Sequence, residues 1–101
     1  MTHPVAYRPE AVEDIEAAYD WYEAERAGLG LEFRAALTDA ERFLAETPTA
    51  FPVVYRTLRR ILLHRFPYSV YFTLTPEGVQ VWGCIHQARH PRTWRSRGRA
   101  V

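Results

Sequence analysis

The sequence contains no lysine, a single cysteine and no apolar stretch of the length that spans a membrane. A membrane-spanning helix needs about 20 mostly apolar residues, and Met-Thr-His-Pro lacks the basic start and apolar core of a secretory signal. Cys84 cannot form an intramolecular disulfide, which excludes a disulfide scaffold and is typical of a reducing compartment. We therefore expect a cytoplasmic protein without membrane partners, whose stability comes from packing.

Sequence signatures of the common catalytic and cofactor sites are also missing. The chain has no Gly-x-Ser-x-Gly elbow for a serine nucleophile and no glycine-rich loop for a phosphate. Cys84, His86 and His90 lie close together in sequence, but no second Cys/His set completes a tetrahedral zinc site. We therefore predict no metal, no cofactor and no small-molecule substrate.

Length and composition indicate one soluble domain over residues 1–101. Apolar residues make up 48% and charged residues 25% of the chain, which is the usual soluble composition and excludes a disordered or low-complexity protein. A chain of this size has room for one core, built from a single sheet and a few helices.

Charge is distributed very unevenly between the two halves of the chain. Residues 1–50 contain four arginines and eleven acidic residues, net −7, whereas residues 51–101 contain nine arginines and only Glu77, net +8. Guanidinium groups bind phosphate, carboxylate and aromatic faces. The second half therefore predicts a surface for a polyanion or an acidic protein. In the alternative interpretation, an acidic helical layer neutralises a basic sheet.

Hydrophobic periodicity predicts one short strand and two helices in the first half. Residues 3–8 alternate as in an edge strand, and Pro9 begins a helix over residues 9–26. Gly28 and Gly30 indicate a turn between antiparallel helices, and Thr47-Pro48 ends the second helix. Each helix has one apolar stripe. The stripes consist of Val12, Ile15, Tyr19 and Tyr22, and of Phe33, Leu37, Ala40 and Leu44.

After Tyr55 the pattern alternates and predicts strands over residues 58–64, 68–75 and 79–86, the last two joined by the turn Thr75-Pro76-Glu77-Gly78. For the first of these strands, the alternation does not decide which face is buried. The rows expected to meet the helices are Tyr68, Val70, Phe72 and Leu74, and Val79, Val81, Gly83 and Ile85. The opposite, partner-facing row contains Ser69, Tyr71, Thr73, Gln80, Trp82, Cys84 and His86. Residues 89–101 carry five arginines and Trp94, and form a short helix or an unsupported tail.

The segment from His86 to Trp94 is the densest candidate site. His86 can exchange protons near neutral pH and Arg89 can stabilise a phosphate, so the two could cleave RNA. Alternatively, His86 caps the sheet edge and Arg89 pairs with an acidic residue of the first helix. The aromatic candidates for stacking on a base or anchoring a partner are Trp21, Tyr22, Tyr71, Trp82 and Trp94. Tyr71 and Trp82 are the better ones, because alternation places them on the face turned away from the core.

The chain resembles the RelE/ParE superfamily of bacterial type II toxin–antitoxin systems over nearly its whole length. The resemblance is carried by Pro9-Glu10-Ala11 with Asp14-Ile15, Pro48, Arg59-Arg60, Phe66-Pro67-Tyr68 and His86-x-x-Arg89-x-Pro91-x-x-Trp94. It implies an α+β fold. The expected architecture is an N-terminal strand, an antiparallel helical hairpin packed on a three- to four-stranded antiparallel sheet, and a basic C-terminal tail.

The resemblance also implies a toxin that arrests growth and is neutralised by a cognate antitoxin. RelE-like members cleave mRNA on the ribosome, whereas ParE-like members poison DNA gyrase. Phe66-Pro67-Tyr68 and His86-x-x-Arg89-x-Pro91 resemble more closely the proteins called ParE or plasmid stabilisation proteins. The ribonucleases often carry lysine, and an arginine directly after the tyrosine that begins a strand; here that position is Ser69. This favours a non-enzymatic protein-binding toxin. A ribosome-dependent endoribonuclease and a non-toxic nucleic-acid-binding or interaction module remain the alternatives.

Candidate residues follow from these hypotheses. His86 and Arg89 are catalytic only if the chain is a nuclease. Residues expected to bind the target or the antitoxin are Arg59, Arg60, Arg65, Tyr71, Trp82, Arg89 and Trp94. We expect an extended antitoxin segment across the helical pair and the sheet, covering Arg59, Arg60 or Arg89.

Overall fold

A computed structural model describes residues 2–101, which form three α-helices and a five-stranded sheet. None of these helices is long and apolar enough to cross a membrane. In chain order the elements are β1 (Val5–Tyr7), α1 (Pro9–Glu25), α2 (Leu29–Glu46), a 3-10 turn (Pro48–Ala50), β2 (Val53–Tyr55), β3 (Leu58–Leu62), β4 (Tyr68–Thr75), β5 (Gly78–His86) and α3 (Pro91–Arg99).

The sheet has the strand order β1-β5-β4-β3-β2, in which β1 is parallel to β5 and all other neighbours are antiparallel. The α+β prediction is confirmed, but the sheet is mixed and five-stranded instead of purely antiparallel with three or four strands. Two short segments explain the difference. β1 pairs in parallel with β5, near the other end of the chain, and β2 follows Pro52 in a segment for which no strand was predicted.

α1 and α2 form the predicted antiparallel hairpin and cover one face of the sheet. The α2 stripe is buried as predicted, whereas the buried α1 face is turned away from Val12, which is 40% exposed, and from the half-buried Tyr19. Alanine lets a helix approach a sheet closely, so alanines occupy the buried positions of α1 in place of Val12 and Tyr19. The buried α1 residues are Ala11, Ile15, Ala18 and Tyr22.

A β-bulge in β5 changes which side chains face the helices. Tyr71 pairs with Gly83 but Phe72 pairs with Val81, so Trp82 is an extra residue on β5. Val81 therefore faces the helical pair and so does Cys84, whereas Ile85 faces the opposite side. The alternation predicted the reverse for Cys84 and Ile85, and this prediction was wrong because strict alternation has no place for the extra residue.

The second face of the sheet is covered by α3. A small core of Leu58, Tyr71 and Ile85 lies there, with Trp94 of α3 packed against it. The Trp94 ring stacks on Tyr71 with centroids 5.2 Å apart and an angle of 11° between the planes. Of the two interpretations of residues 89–101, the helix is therefore the one observed. The face predicted to be open is closed at Tyr71, which is only 3% exposed.

Candidate functional site

The strand β5 is flanked by β1 along only part of its length. β1 pairs with Val79, Gln80 and Val81, and the Arg8 amide donates to the Val81 carbonyl at 2.9 Å. Beyond this point β1 offers β5 no further partner. An unpaired strand edge must find other partners for its amides and carbonyls, because buried backbone polar groups are costly to leave unsatisfied.

Two side chains provide those partners. The Cys84 amide donates to Asp14 Oδ2 at 3.0 Å, and Arg97 Nη1 donates to the Trp82 carbonyl at 2.8 Å. Arg97 also holds both carboxylate oxygens of Asp14, at 2.9 and 3.2 Å, and both side chains are only about one-fifth exposed. The pair therefore joins α1, the β5 bulge and α3.

A cleft of about 290 Å³ opens beside this ion pair, between α1, the end of β5 and the start of α3. We call it the edge cleft. Its most prominent wall is Trp21 on α1, whose residue surface is 58% exposed. Other residues lining the edge cleft are Ala17, Tyr68, His86, Arg89 and Thr93. An exposed indole beside an unpaired guanidinium is typical of a protein-binding hot spot.

His86 lies in the edge cleft with one ring nitrogen already in use. Its Nδ1 accepts a hydrogen bond from the Ala88 amide at 3.0 Å, and its ring packs edge-on against Tyr68 with centroids 5.1 Å apart. The Ala88 amide therefore occupies Nδ1 and leaves Nε2 as the ring nitrogen available to a partner.

Tyr68 contributes a neutral hydroxyl to the same cleft. Burial raises the pKa of Tyr68 above its usual value, with a smaller contribution in the same direction from Tyr22. The phenol therefore stays protonated near neutral pH and can donate a hydrogen bond to a partner.

The arginines predicted to bind a partner fall in different places. Arg59 donates to the Phe51 carbonyl at 2.7 Å, and Arg65 pairs with Glu32 at 3.0 Å. Arg65 and then Arg26 hold the pKa of Glu32 below its usual value through hydrogen bonds. Both predicted arginines are thus engaged within the chain. Arg60 is half-buried, paired opposite Tyr71 on the α3 side of the sheet, and Arg89 is exposed in the edge cleft.

Within residues 2–101, few arginines of the second half are neutralised by the acidic helices. Only Arg65 and Arg97 of these nine reach a carboxylate. An acidic residue of α1, Asp14, does pair with an arginine of the C-terminal segment. The arginine is Arg97, whereas the alternative interpretation named Arg89. Most of the positive charge remains available to a partner.

The aromatic candidates are rearranged relative to the prediction. Tyr71 lies under Trp94, so it offers no exposed stacking surface. Trp82 is half-buried, its indole N–H donates to Thr73 Oγ1 at 2.9 Å, and the Arg8 guanidinium lies 5.1 Å from its ring centroid. Trp21 is the exposed tryptophan. Sequence reasoning ranked it lower, although its place beside the α1 stripe could have indicated a helix edge.

The remaining histidine of the segment has a structural role. His90 Nδ1 accepts the Arg92 amide at 3.0 Å and caps the N-terminus of α3. Cys84 is buried on the helix side of the sheet, and residues 2–101 contain no group of three or more metal-ligating side chains.

The helical hairpin on a mixed sheet, the C-terminal helix and the motif residues gathered at the β5 edge together define a RelE/ParE-type toxin fold. A sequence model of the family described as "ParE toxin of type II toxin-antitoxin system, parDE" matches residues 5–91. The chain belongs to the ParE toxin family of type II toxin–antitoxin systems, which confirms the resemblance found in the sequence.

A structural comparison supports the same fold. A chain from the "Chromosomal ParDE TA system from P. aeruginosa" superposes with a TM-score of 0.74 at 18% sequence identity. The match covers 83% of this chain and 95% of that one. No curated protein sequence matches the chain.

Proposed function

We propose that this ParE-family chain arrests bacterial growth in the cytoplasm by binding a protein target such as DNA gyrase, and that a cognate antitoxin neutralises it. The observation that carries the non-enzymatic mechanism is the hydrogen bond from the Ala88 amide to His86 Nδ1. This bond already occupies Nδ1 of the central candidate acid–base group.

Other features of the site also favour binding over RNA cleavage. The position where related ribonucleases often carry arginine is Ser69, which is 1% exposed and therefore out of reach of a substrate. The chain has no lysine, and Arg59 and Arg65 are engaged with Phe51 and Glu32. Arg89 is exposed in the edge cleft and can bind an anionic group of a partner.

The edge cleft has the composition of a protein-binding site. Trp21 offers a large exposed apolar surface, and Arg89 and the Tyr68 hydroxyl add polar groups around it. Tryptophan, tyrosine and arginine carry most of the binding free energy in protein interfaces. An acidic segment of the target or of the antitoxin fits this combination, and the antitoxin is expected to cover Arg60 or Arg89.

Induction of the chain in a bacterium, with and without its adjacent antitoxin gene, tests the proposal. Growth arrest that the antitoxin reverses, together with accumulated DNA breaks, is the expected result. New mRNA ends within translated codons would instead identify a ribosome-dependent endoribonuclease. No growth arrest at all would favour a non-toxic interaction module.

Substitutions in the edge cleft test its role directly. Trp21→Ala and Arg89→Ala should each weaken target binding by about 2 kcal/mol, roughly 30-fold, with the fold retained. Arg34→Ala is the matched control, because Arg34 is an exposed arginine on α2 outside the edge cleft. His86→Ala should cost a binder only a modest loss of affinity, whereas a nuclease would lose about 10²–10⁴-fold in cleavage rate.

A further inference from the structure

The two faces of α3 differ sharply in what they contact. Trp94 stacks on Tyr71, Arg97 reaches Asp14, and Gly98 lies against the Tyr55 ring, where an added Cβ would come within 2.7 Å of Tyr55 Cδ2. These three residues attach the helix to the sheet. The opposite face of α3 carries three exposed arginines, which are Arg92, Arg95 and Arg99.

Helix geometry places these three guanidinium-bearing residues in one row. Spacings of three and four residues put them on the same face, separated along the axis by about 4.5 and 6 Å. None of the three pairs with a carboxylate within residues 2–101. Like charges at these spacings repel each other. Anions bound along the row would reduce this repulsion, which favours anion binding.

A fourth arginine extends this row at the β2–β3 turn. Arg56 has a positive φ of 54°, which is uncommon for a residue with a side chain, and its guanidinium lies 5.3 Å from the Tyr55 ring centroid. The guanidinium of Arg99, and to a smaller extent that of Arg56, lowers the pKa of Tyr55. Arg56 therefore lies beside the same tyrosine ring that contacts Gly98 at the C-terminal end of α3, close to Arg99 in the chain.

We propose that these four residues, Arg56, Arg92, Arg95 and Arg99, bind the sugar–phosphate backbone of double-stranded DNA. We call this set the arginine row. A series of fixed cations without interleaved carboxylates matches a series of regularly spaced phosphodiesters, and guanidinium binds phosphate oxygens in a bidentate manner. The binding is sequence-independent, because backbone contacts carry no base information.

DNA is favoured over an acidic protein by what the row lacks. The aromatic side chain of α3, Trp94, is turned toward the sheet, so the outer face has no apolar anchor. A stable protein interface needs such buried anchors, whereas phosphate contacts gain their free energy from counterion release. The arginine row is distinct from the edge cleft, so the inference does not depend on the proposed protein target.

Salt-dependent binding of the purified full chain to a short mixed-sequence duplex tests the inference. Four phosphate contacts predict a slope of about −3.6 for log K against log salt, a loss of roughly 150-fold between 50 and 200 mM. The triple variant R92A/R95A/R99A retains one contact and should show a slope of about −0.9. Alanine preserves the helix, which circular dichroism checks.

The matched control removes three arginines from the helical hairpin, R26A/R34A/R42A, and changes the net charge by the same amount. It should bind the duplex with the slope of the unmodified chain. An equal loss in both triple variants would overturn the proposal, since net charge alone would then explain binding. The absence of DNA binding would also overturn the proposal. So would a higher affinity for polyglutamate than for DNA, which would identify the row as a site for an acidic protein. Growth arrest measured in parallel reports separately on the proposed function.

Discussion

Asp14 and Arg97, 83 residues apart in sequence, form a bidentate ion pair that closes the edge of the sheet where β1 ends. Each partner also bonds the β5 backbone, Asp14 at the Cys84 amide and Arg97 at the Trp82 carbonyl. The pair thus replaces a neighbouring strand at the bulge and fixes α3 beside the edge cleft.

We predict that breaking this pair destabilises the protein. Asp14→Asn and Arg97→Gln should each lower the free energy of unfolding by about 2–3 kcal/mol, less than for a fully buried pair because both side chains keep some solvent contact. Urea denaturation of each single variant and of the double variant measures the coupling. The exposed pair of Asp39 and Arg42 is the control, and its loss should cost less than about 1 kcal/mol. Equal effects at both pairs would contradict a special role for the β5 edge.

A methyl group at Gly83 should disturb the same contact. A Cβ there would lie 2.8 Å from Arg97 Nη1, 3.2 Å from Ile85 Cδ1 and 3.3 Å from Asp14 Oδ2. Gly83→Ala should therefore destabilise the fold by about 1–3 kcal/mol. The cost should be smaller when Arg97 is already alanine, because the closest atom is then gone. A double-mutant cycle by thermal unfolding checks this, and simple additivity would refute the steric explanation.

Trp94 should determine whether α3 stays on the sheet. Trp94→Ala removes the ring stacked on Tyr71 and should cost about 3 kcal/mol, whereas Trp94→Phe keeps an aromatic contact and should cost less. Amide hydrogen exchange should show faster exchange over α3 in the alanine variant, with α1 and α2 still protected. Uniform loss of protection would show instead that α3 is inseparable from the main core.

Cys84 should be inert to thiol reagents in the folded state. Burial, with a smaller effect of Asp14, raises the pKa of the Cys84 thiol to about 12. Folding therefore holds the thiol protonated while the unfolded chain ionises near its ordinary pKa, so this contribution to stability is lost as pH rises from about 9 toward 12. Alkylation at pH 8 should follow global unfolding in urea. Rapid alkylation of the native protein would contradict the burial of Cys84.

The same alkaline loss should be weaker when the thiol is absent. Cys84→Ala should lose less free energy of unfolding between neutral pH and pH 10 than the unmodified chain does, because one raised pKa has been removed. The comparison uses the difference between the free energies of unfolding at the two pH values, so the cost of the cavity left by the substitution cancels.

Local pattern was sufficient for much of this fold. Phe33, Leu37, Ala40 and Leu44 fix the buried α2 face through their 3.6-residue period, and Pro9 and Thr47-Pro48 mark helix ends through backbone geometry. His86 and Arg89 were predicted as one site, and both lie in the edge cleft. The sequence did not predict the chemical role of these two residues, because the hydrogen bond from the Ala88 amide to His86 depends on the turn that follows β5.

The amino-acid sequence by itself determined the helical hairpin, the order of most elements, the basic second half and the family, because these depend on neighbours within a few residues or on charge count. Tertiary structure alone decided the parallel pairing of β1, the extra Trp82 in β5, the burial of Tyr71 under α3 and the partner of Asp14. Each of these features depends on how two segments that are distant in sequence pair or pack in the folded chain. A single bulge reverses the faces that follow it, and no periodicity within one strand reports it.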